Sequence, residues 1–382
     1  MKGTVHYETR GNIALLSIDN PPVNPLSSGV RQGLFDGVTS ALADDAIEAI
    51  VLTGLHRAFI AGADISEFGA AATEGVSLGE ALNKMEGSTK PIIAAINGTA
   101  FGGGLEVALC CDYRIAAPTA PVGLPEVKLG LLPGAGGTQR LPRLIGAEEA
   151  VQAIVSGNPI MAPDALTMGI VDRVASGDIV EDAIAYAQEI IGAGGATRKI
   201  RDLEDKILAD RGNTALFEKF AANLDKTHRG QFAPAQILQC IEAAVNAESF
   251  DEGMAVERAR FAECMSDPQR EALIHIFFAE RAANKIPGLP KDVPLLDIKK
   301  GSVIGAGTMG GGIAMCFANA GIPVRVHDNE PENLARGIKV IEGNYARTVS
   351  KGRLTQEEMD KRMSLIIPTE NFDDLGDGDI VI

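Results

Sequence analysis

The chain has 382 residues, 46% of them apolar, enough to bury a sizeable core in roughly two to three domains. A formal net charge of −16 and a pI near 4.8 exclude nucleic acid and anionic membrane surfaces as general partners. The N-terminus, Met1 to Glu8, alternates like a strand without an apolar signal region, and the five cysteines show no CxxC or Cys/His spacing. Secretion and a structural metal are therefore not expected, and a reducing compartment is.

In chain order, residues 4–19 and 47–53 read as strands, with a helix from about Ser27 to Leu42 between them. The apolar run Pro91 to Asn97 reads as a strand that meets a glycine turn and then an apolar helix opening near Gly103, which holds Cys110 and Cys111 as core atoms. Leu141 to Gly157 reads as one amphipathic helix, Ala162 to Ala175 as helix then strand, and Asp178 to Ile191 as a helix ending in the cluster Gly192 to Gly195. From about 197 to 284 strand signals vanish and apolar residues recur at helical spacing, as in Leu216, Phe217, Phe220 and Leu224, predicting an all-helical module. His228 and His275 lie there without acidic or cysteine neighbours at ligand spacing and read as structural. The last helix of the module is predicted over Glu271 to Lys285.

Pro287, Pro290 and Pro294 mark a second boundary. Beyond it, Leu295 to Ile304 reads as a strand feeding Gly305-Ala-Gly307-Thr-Met-Gly310, followed by a helix from Gly311 to Asn319 and a strand from Pro323 to His327 that ends at Asp328. Gly301 to Val324 is uncharged over the length of a membrane span, but its seven glycines and its proline favour strand, turn and helix. A lone GxGxxG is weak; one that follows a strand, opens a helix and precedes an acid at the next strand end has the context of a dinucleotide fingerprint. The glycines Gly305, Gly307 and Gly310 then admit a pyrophosphate to the helix N-terminus, and Asp328 accepts hydrogen bonds from the adenosine ribose. Asp328 repels a 2′-phosphate, which favours NAD over NADP. A helix from Pro331 to Lys351 and a further strand from Asp379 to Ile382 complete the reading. The expected domains are 1–192, 193–284, a proline-rich connection 285–296, and 297–382.

Three glycine-rich pieces carry the chemistry: AFIAGADI (Ala58 to Ile65), GTAFGGGLE (Gly98 to Glu106) and LPEVKLGLLPGAGGTQ (Leu124 to Gln139). Bare amides at Ala63 and Gly103 suit a developing oxyanion, because helix N-termini favour negative charge and glycine permits close approach. Glu106, in the first turn of an apolar helix, and Glu126, after Pro125 in an apolar loop, are expected to be partly buried with raised pKa values. Taken singly, the first is ordinarily a dipole-compensating surface residue and the second part of a turn. Together, two poised carboxyls beside an oxyanion hole suit addition of water across an activated double bond.

The three pieces in this order resemble the enoyl-CoA hydratase (crotonase) family over about residues 1 to 190. The stretch from Gly301 resembles the dehydrogenase half of the bifunctional fatty-acid β-oxidation enzymes. The resemblance implies an α/β fold, a crotonase-type spiral of ββα repeats followed by a helical module, a linker helix buried between two catalytic parts and a partial Rossmann domain. It places the oxyanion-hole amides on Ala63 and Gly103 and the catalytic glutamates on Glu106 and Glu126. It also implies substrate contacts at Arg57, a basic position that touches CoA phosphates, and at Ala61, and a cofactor-lining backbone at Met309. Ser66 stands where lysine is commoner, and Pro25 where a small alanine is.

The implied activity is hydration of trans-2-enoyl-CoA to 3-hydroxyacyl-CoA, with NAD serving only the dehydrogenase part. Rival readings are 3-enoyl-CoA isomerisation at the same site and a non-catalytic acyl-CoA or NAD binding module. In so acidic a chain, an anionic acyl-CoA must be drawn by local cations. Further implied are association with a thiolase or with itself, and a cytoplasmic location, peroxisomal in a eukaryote. The family's dehydrogenase chemistry needs a histidine, and none follows His327. The expectation is hydratase activity without reduction of NAD, and at best weak NAD binding by a stretch that is either a folded half-domain or a partly ordered remnant.

Overall fold

Continuous apolar runs dictate strands buried on both faces, and two of them, Ala49–Gly54 and Ile92–Ile96, are buried at every position. They lie at the centre of a six-stranded sheet with the order Thr4–Arg10, Ile13–Asp19, Ala49–Gly54, Ile92–Ile96, Tyr113–Ala116, Arg173–Val174. The first pair is antiparallel and the rest are parallel. Side chains alternate between faces. Leu16, Ile50, Leu52 and Ala94 join Val30, Leu34 and Val38 of the helix Ser28–Ala43 in one core, whereas Leu15, Val51, Ile93 and Ala95 join Ala183, Tyr186 and Ile190 of the helix Ile179–Gly192 in another. This computed structural model describes residues 3–63, 75–283, 285–290 and 292–382.

A second sheet has the order Ala58–Ile60, Thr99–Phe101, Pro121–Gly123, Ile160–Met161. Each of its first three strands follows a strand of the first sheet in sequence, so the chain winds as a spiral of paired strands. Those three strands are mutually parallel, and their C-terminal ends run directly into the three glycine-rich pieces. The spiral thereby brings together segments that are separated in sequence.

The helices that follow are Thr214–Thr227, Ala233–Asn246, Phe250–Ser266 and Pro268–Ala283, with a short turn of helix at Asp205–Leu208. The spiral and these helices form one compact unit, Met1–Lys285, and Ile286–Ile382 form the other. In the second unit a parallel sheet has the order Ile366–Thr369, Val324–His327, Gly301–Ile304, Ile380–Val381. It is covered by the helices Thr308–Asn319 and Pro331–Ser350, with Val303, Ala314, Val326, Leu334, Ile341 and Tyr345 in a core of its own. Among the described residues no helix is long and apolar enough to cross a membrane.

Four expectations are corrected. Leu141 to Gly157 is two helices, Gly137–Ile145 and Ala147–Ser156, because Gly146 adopts φ 91° and ψ 164° and turns the chain between them. Of the strand expected over Leu295 to Ile304 only Gly301–Ile304 forms; Leu295 and Leu296 are 94% and 84% exposed and gain nothing from pairing. The nucleotide helix starts at Thr308 rather than Gly311, since the fingerprint's last glycine is already helical. The helix expected over Glu271 to Lys285 begins at Pro268, whose missing N–H suits a first turn, and is described as far as Ala283.

Candidate active site

Ala63 and Gly103 are brought side by side. A Cβ built on Gly103 would stand 3.9 Å from the Ala63 amide nitrogen and 2.8 Å from Leu26 Cδ1. Neither N–H has an acceptor among the described residues. The approach depends on two neighbouring glycines. Gly102 has φ 54°, ψ −127°, a conformation that L side chains rarely adopt. A Cβ on Gly104 would collide with the Ile60 carbonyl oxygen at 2.1 Å, so only glycine lets this helix start close against the neighbouring strand.

Glu106 lies in the first turn of the helix Gly103–Cys110 and is 3% exposed. Its Oε1 accepts hydrogen bonds from the amides of Ala135 and Gly137, both at 2.8 Å. Burial pushes its pKa up, while the two amides and the Arg140 charge oppose the rise. Glu126 opens the 3-10 turn Glu126–Leu129, and the Gly102 turn passes so close that a Cβ there would be 3.0 Å from Glu126 Oε1. Its Oε2 is buried without a hydrogen-bond partner among the described residues. Burial, and then the negative charge of Glu106, hold the Glu126 carboxyl well above the usual range. The two carboxyls are close enough for their charges to act on each other, and their environments differ.

A third carboxyl was not singled out from the sequence. Glu257, on the helix Phe250–Ser266, is fully buried and accepts from the Gly136 amide at 2.7 Å, the Thr138 amide at 3.1 Å and the Thr138 hydroxyl at 2.5 Å. Burial, then the charge of Glu106, raise its pKa to about 8. A signal existed: Phe250, Gly253, Glu257 and Cys264 form the buried stripe of that helix, so a glutamate stands on its inner face.

Arg57 is exposed in the turn before Ala58–Ile60, and Ala61 is half-buried with its amide on the Val23 carbonyl at 3.1 Å. Ser66, like Asp64 and Ile65 of the first glycine-rich piece, lies outside the described residues.

In the second unit the fingerprint residues meet as their spacing implied. Gly305 has φ 98° and donates to the His327 carbonyl at 2.7 Å. A Cβ on Gly310 would lie 1.8 Å from the Gly305 carbonyl oxygen, so the helix packs on the turn only as glycine. Nothing stands within 4 Å of the space a Cβ on Gly307 would take. Ala306, Gly307, Thr308, Asp328, Asn333 and Arg336 border a cavity of about 360 Å³ at a helix start, a setting that suits the pyrophosphate and ribose of a dinucleotide. Asp328 Oδ2 accepts from the Ala306 amide at 2.9 Å, which holds its pKa below the usual range and leaves it anionic beside the cavity. Met309 is 78% exposed. His327 is buried, with Nδ1 3.1 Å from the Thr369 carbonyl oxygen and its ring edge-on to Phe372.

Residues 8–233 match the family model described as enoyl-CoA hydratase/isomerase, and residues 300–382 match that described as 3-hydroxyacyl-CoA dehydrogenase, NAD binding domain. The chain is 39% identical over 343 residues to the peroxisomal bifunctional enzyme of Homo sapiens, covering 89% of this chain and 47% of that protein. It is 35% identical over 387 residues to a peroxisomal fatty acid beta-oxidation multifunctional protein of Arabidopsis thaliana, covering 97% and 52%. The crystal structure of carnitinyl-CoA hydratase from Mycobacterium avium matches with a TM-score of 0.52 at 28% identity, covering 74% of this chain and 97% of that one. The chain spans about half the length of the curated relatives it matches. The spiral fold agrees with these matches, and the chain belongs to the enoyl-CoA hydratase/isomerase family, with the NAD-binding domain of a 3-hydroxyacyl-CoA dehydrogenase joined to it.

Proposed function

We propose that the first unit hydrates trans-2-enoyl-CoA to 3-hydroxyacyl-CoA. The observation that carries this reading is the unequal setting of Glu106 and Glu126: one carboxylate is held by two amides, while the other has a buried oxygen without a partner and a strongly raised pKa. Glu106 accepts a proton from the water that adds at C3. Glu126, whose carboxyl is held above the usual range by burial and the Glu106 charge, gives its proton to C2. The amides of Ala63 and Gly103 stabilise the thioester enolate that forms between these events, an effect worth about 3–4 kcal/mol per donor in comparable oxyanion holes. Arg57 and Ala61 are the substrate contacts of this reading, with the Arg57 cation toward the CoA phosphates.

The test is hydration of crotonyl-CoA, read as loss of the conjugated-thioester absorbance and identification of the 3-hydroxy product. No loss of absorbance from folded protein overturns the hydratase reading. Isomerisation of 3-enoyl-CoA is a second reading, favoured by the isolated Glu126 oxygen, since one carboxyl suffices to shuttle a proton between C2 and C4. A gain of conjugated-thioester absorbance from 3-enoyl-CoA detects it.

The second unit is read as the NAD-binding part of a 3-hydroxyacyl-CoA oxidation in fatty-acid β-oxidation, with this chain expected to hold NAD without reducing it. NAD, when bound, supplies the hydride acceptor. Gly305, Gly307 and Gly310 would admit its pyrophosphate, the Met309 backbone would line it, and Asp328 would meet the adenosine ribose. A thiolase or a second copy is the proposed protein partner. The compartment is read as the peroxisome in a eukaryotic source and the cytoplasm otherwise.

A further inference from the structure

The loop from Pro133 to Thr138 has carboxyl groups on both of its sides. Its successive amides alternate between them: Ala135 and Gly137 donate to Glu106, Gly136 and Thr138 to Glu257. Gly136 has φ 98°, and a Cβ there would stand 1.8 Å from Arg140 Nη1, so the loop has this conformation only as glycine and no spare volume beside it. Turning the peptide groups enough to withdraw Ala135 or Gly137 from Glu106 would also break the bonds to Glu257. A buried carboxyl oxygen deprived of its donors is costly, so the loop resists that turn. The Thr138 hydroxyl is fixed in its turn by the Gln139 side chain, which also holds the Cys240 carbonyl. The ionisable groups that face Glu257 are Glu106, Glu126, Arg140 and Cys240.

We propose that Glu257 is a positioning residue for the hydration: by holding Gly136 and Thr138 it keeps the Ala135 and Gly137 amides trained on Glu106, and so fixes the carboxylate that takes the proton from water. The proposal rests on the reading of Glu106 given above. Its distinguishing feature is reach, because the group that sets the geometry of Glu106 comes from a helix more than 100 residues further along the chain, 121 from Gly136 to Glu257.

The experiment measures kcat and KM for crotonyl-CoA, and the affinity for saturated butyryl-CoA, in Glu257→Ala, Glu257→Gln, Glu106→Gln and the corresponding double variants. Loss of alignment at a reacting group costs on the order of 10- to 100-fold. Glu257→Ala is expected to lose that much in kcat, with KM and butyryl-CoA affinity unchanged. Glu257→Gln is expected to fall between Glu257→Ala and the parent, because its carbonyl can still accept one amide. In the Glu106→Gln background neither change is expected to cost anything more, as residues that act through one another are non-additive. Losses that multiply in the double variants, or that reside in acyl-CoA binding, overturn the proposal, since they are what a general weakening of the fold produces. If Glu257→Ala does not fold, Glu257→Gln and Thr138→Val decide by the same comparison: parental kcat in both overturns it. Parental turnover in Glu106→Gln would remove the reading of Glu106 and this proposal together, whereas a dead Glu106→Gln beside fully active Glu257 variants removes the positioning alone.

Discussion

Arg140 and Glu86 form a two-pronged ion pair inside the first unit, Nε to Oε1 at 2.9 Å and Nη2 to Oε2 at 3.0 Å, with both residues buried. Arg140 Nη1 also donates to the Ala135 carbonyl at 3.0 Å, so the pair ties the helix Leu78–Glu86 to the loop that holds Glu106. Removing one partner of a buried pair leaves the other charge uncompensated. Glu86→Ala is therefore expected to lower the unfolding free energy by about 3–5 kcal/mol, measured by urea denaturation. A midpoint and slope equal to the parent's would show that solvent compensates the unpaired Arg140 and Arg201 charges fully.

Glu106→Gln and Glu126→Gln are each expected to lower crotonyl-CoA turnover by on the order of 100-fold, while affinity for butyryl-CoA is retained, because a positioned acid or base contributes that much without holding the ligand. Retention of most turnover by either variant would exclude the two-carboxyl mechanism.

Gly103→Pro removes the amide assigned to the oxyanion at a helix position that tolerates proline. Its partner variant Gly103→Ala keeps the amide but must displace the Leu26 side chain, whose Cδ1 lies 2.8 Å from the new methyl position. The alanine variant should retain measurable turnover and the proline variant none, with both folded by circular dichroism. Equal activities would place the oxyanion elsewhere.

The pH dependence follows from the direction of the shifts. Turnover should rise as Glu106 ionises and fall as the more strongly raised Glu126 loses its proton, giving a bell whose limbs belong to the coupled pair. Isomerase turnover, if it rests on Glu126 alone, should differ in its acid limb, and the two rates measured across pH separate these cases.

Stability carries a signature of its own. Glu257 binds its proton more tightly folded, at about 8, than unfolded, near 4.5, so the folded state holds more protons between these values. Its contribution is fully present below the unfolded value and is lost as pH rises towards 8. Thermal melts should show the parent losing stability across this window relative to Glu257→Gln, and parallel curves for the two proteins would contradict the assignment.

Much of the spiral was legible because its determinants are local. Unbroken apolar runs such as Ile92 to Ile96 allow only buried strands, and Gly102 and Gly305 stand where the backbone takes a conformation denied to other residues. Glu106 stood out only in company with Glu126 and the two glycine turns, since a first-turn glutamate alone reads as a surface residue, and Asp328 was recognisable from its place at a strand end. Apolar spacing alone ran Leu141 to Gly157 together, because periodicity does not register one residue at φ 91°. What only the tertiary structure decided was the company of these groups. The spiral sets three parallel strand ends beside one another, and that adjacency gives Ala63 its neighbour at Gly103 and Glu126 its place against Gly102. Glu257 stands on the inner stripe of its helix, but nothing local says what it meets there; the fold sets it on the far side of the loop that holds Glu106. Hydrogen bonds between groups 119 and 121 residues apart leave no local pattern, since their partners are chosen by packing rather than by spacing along the chain.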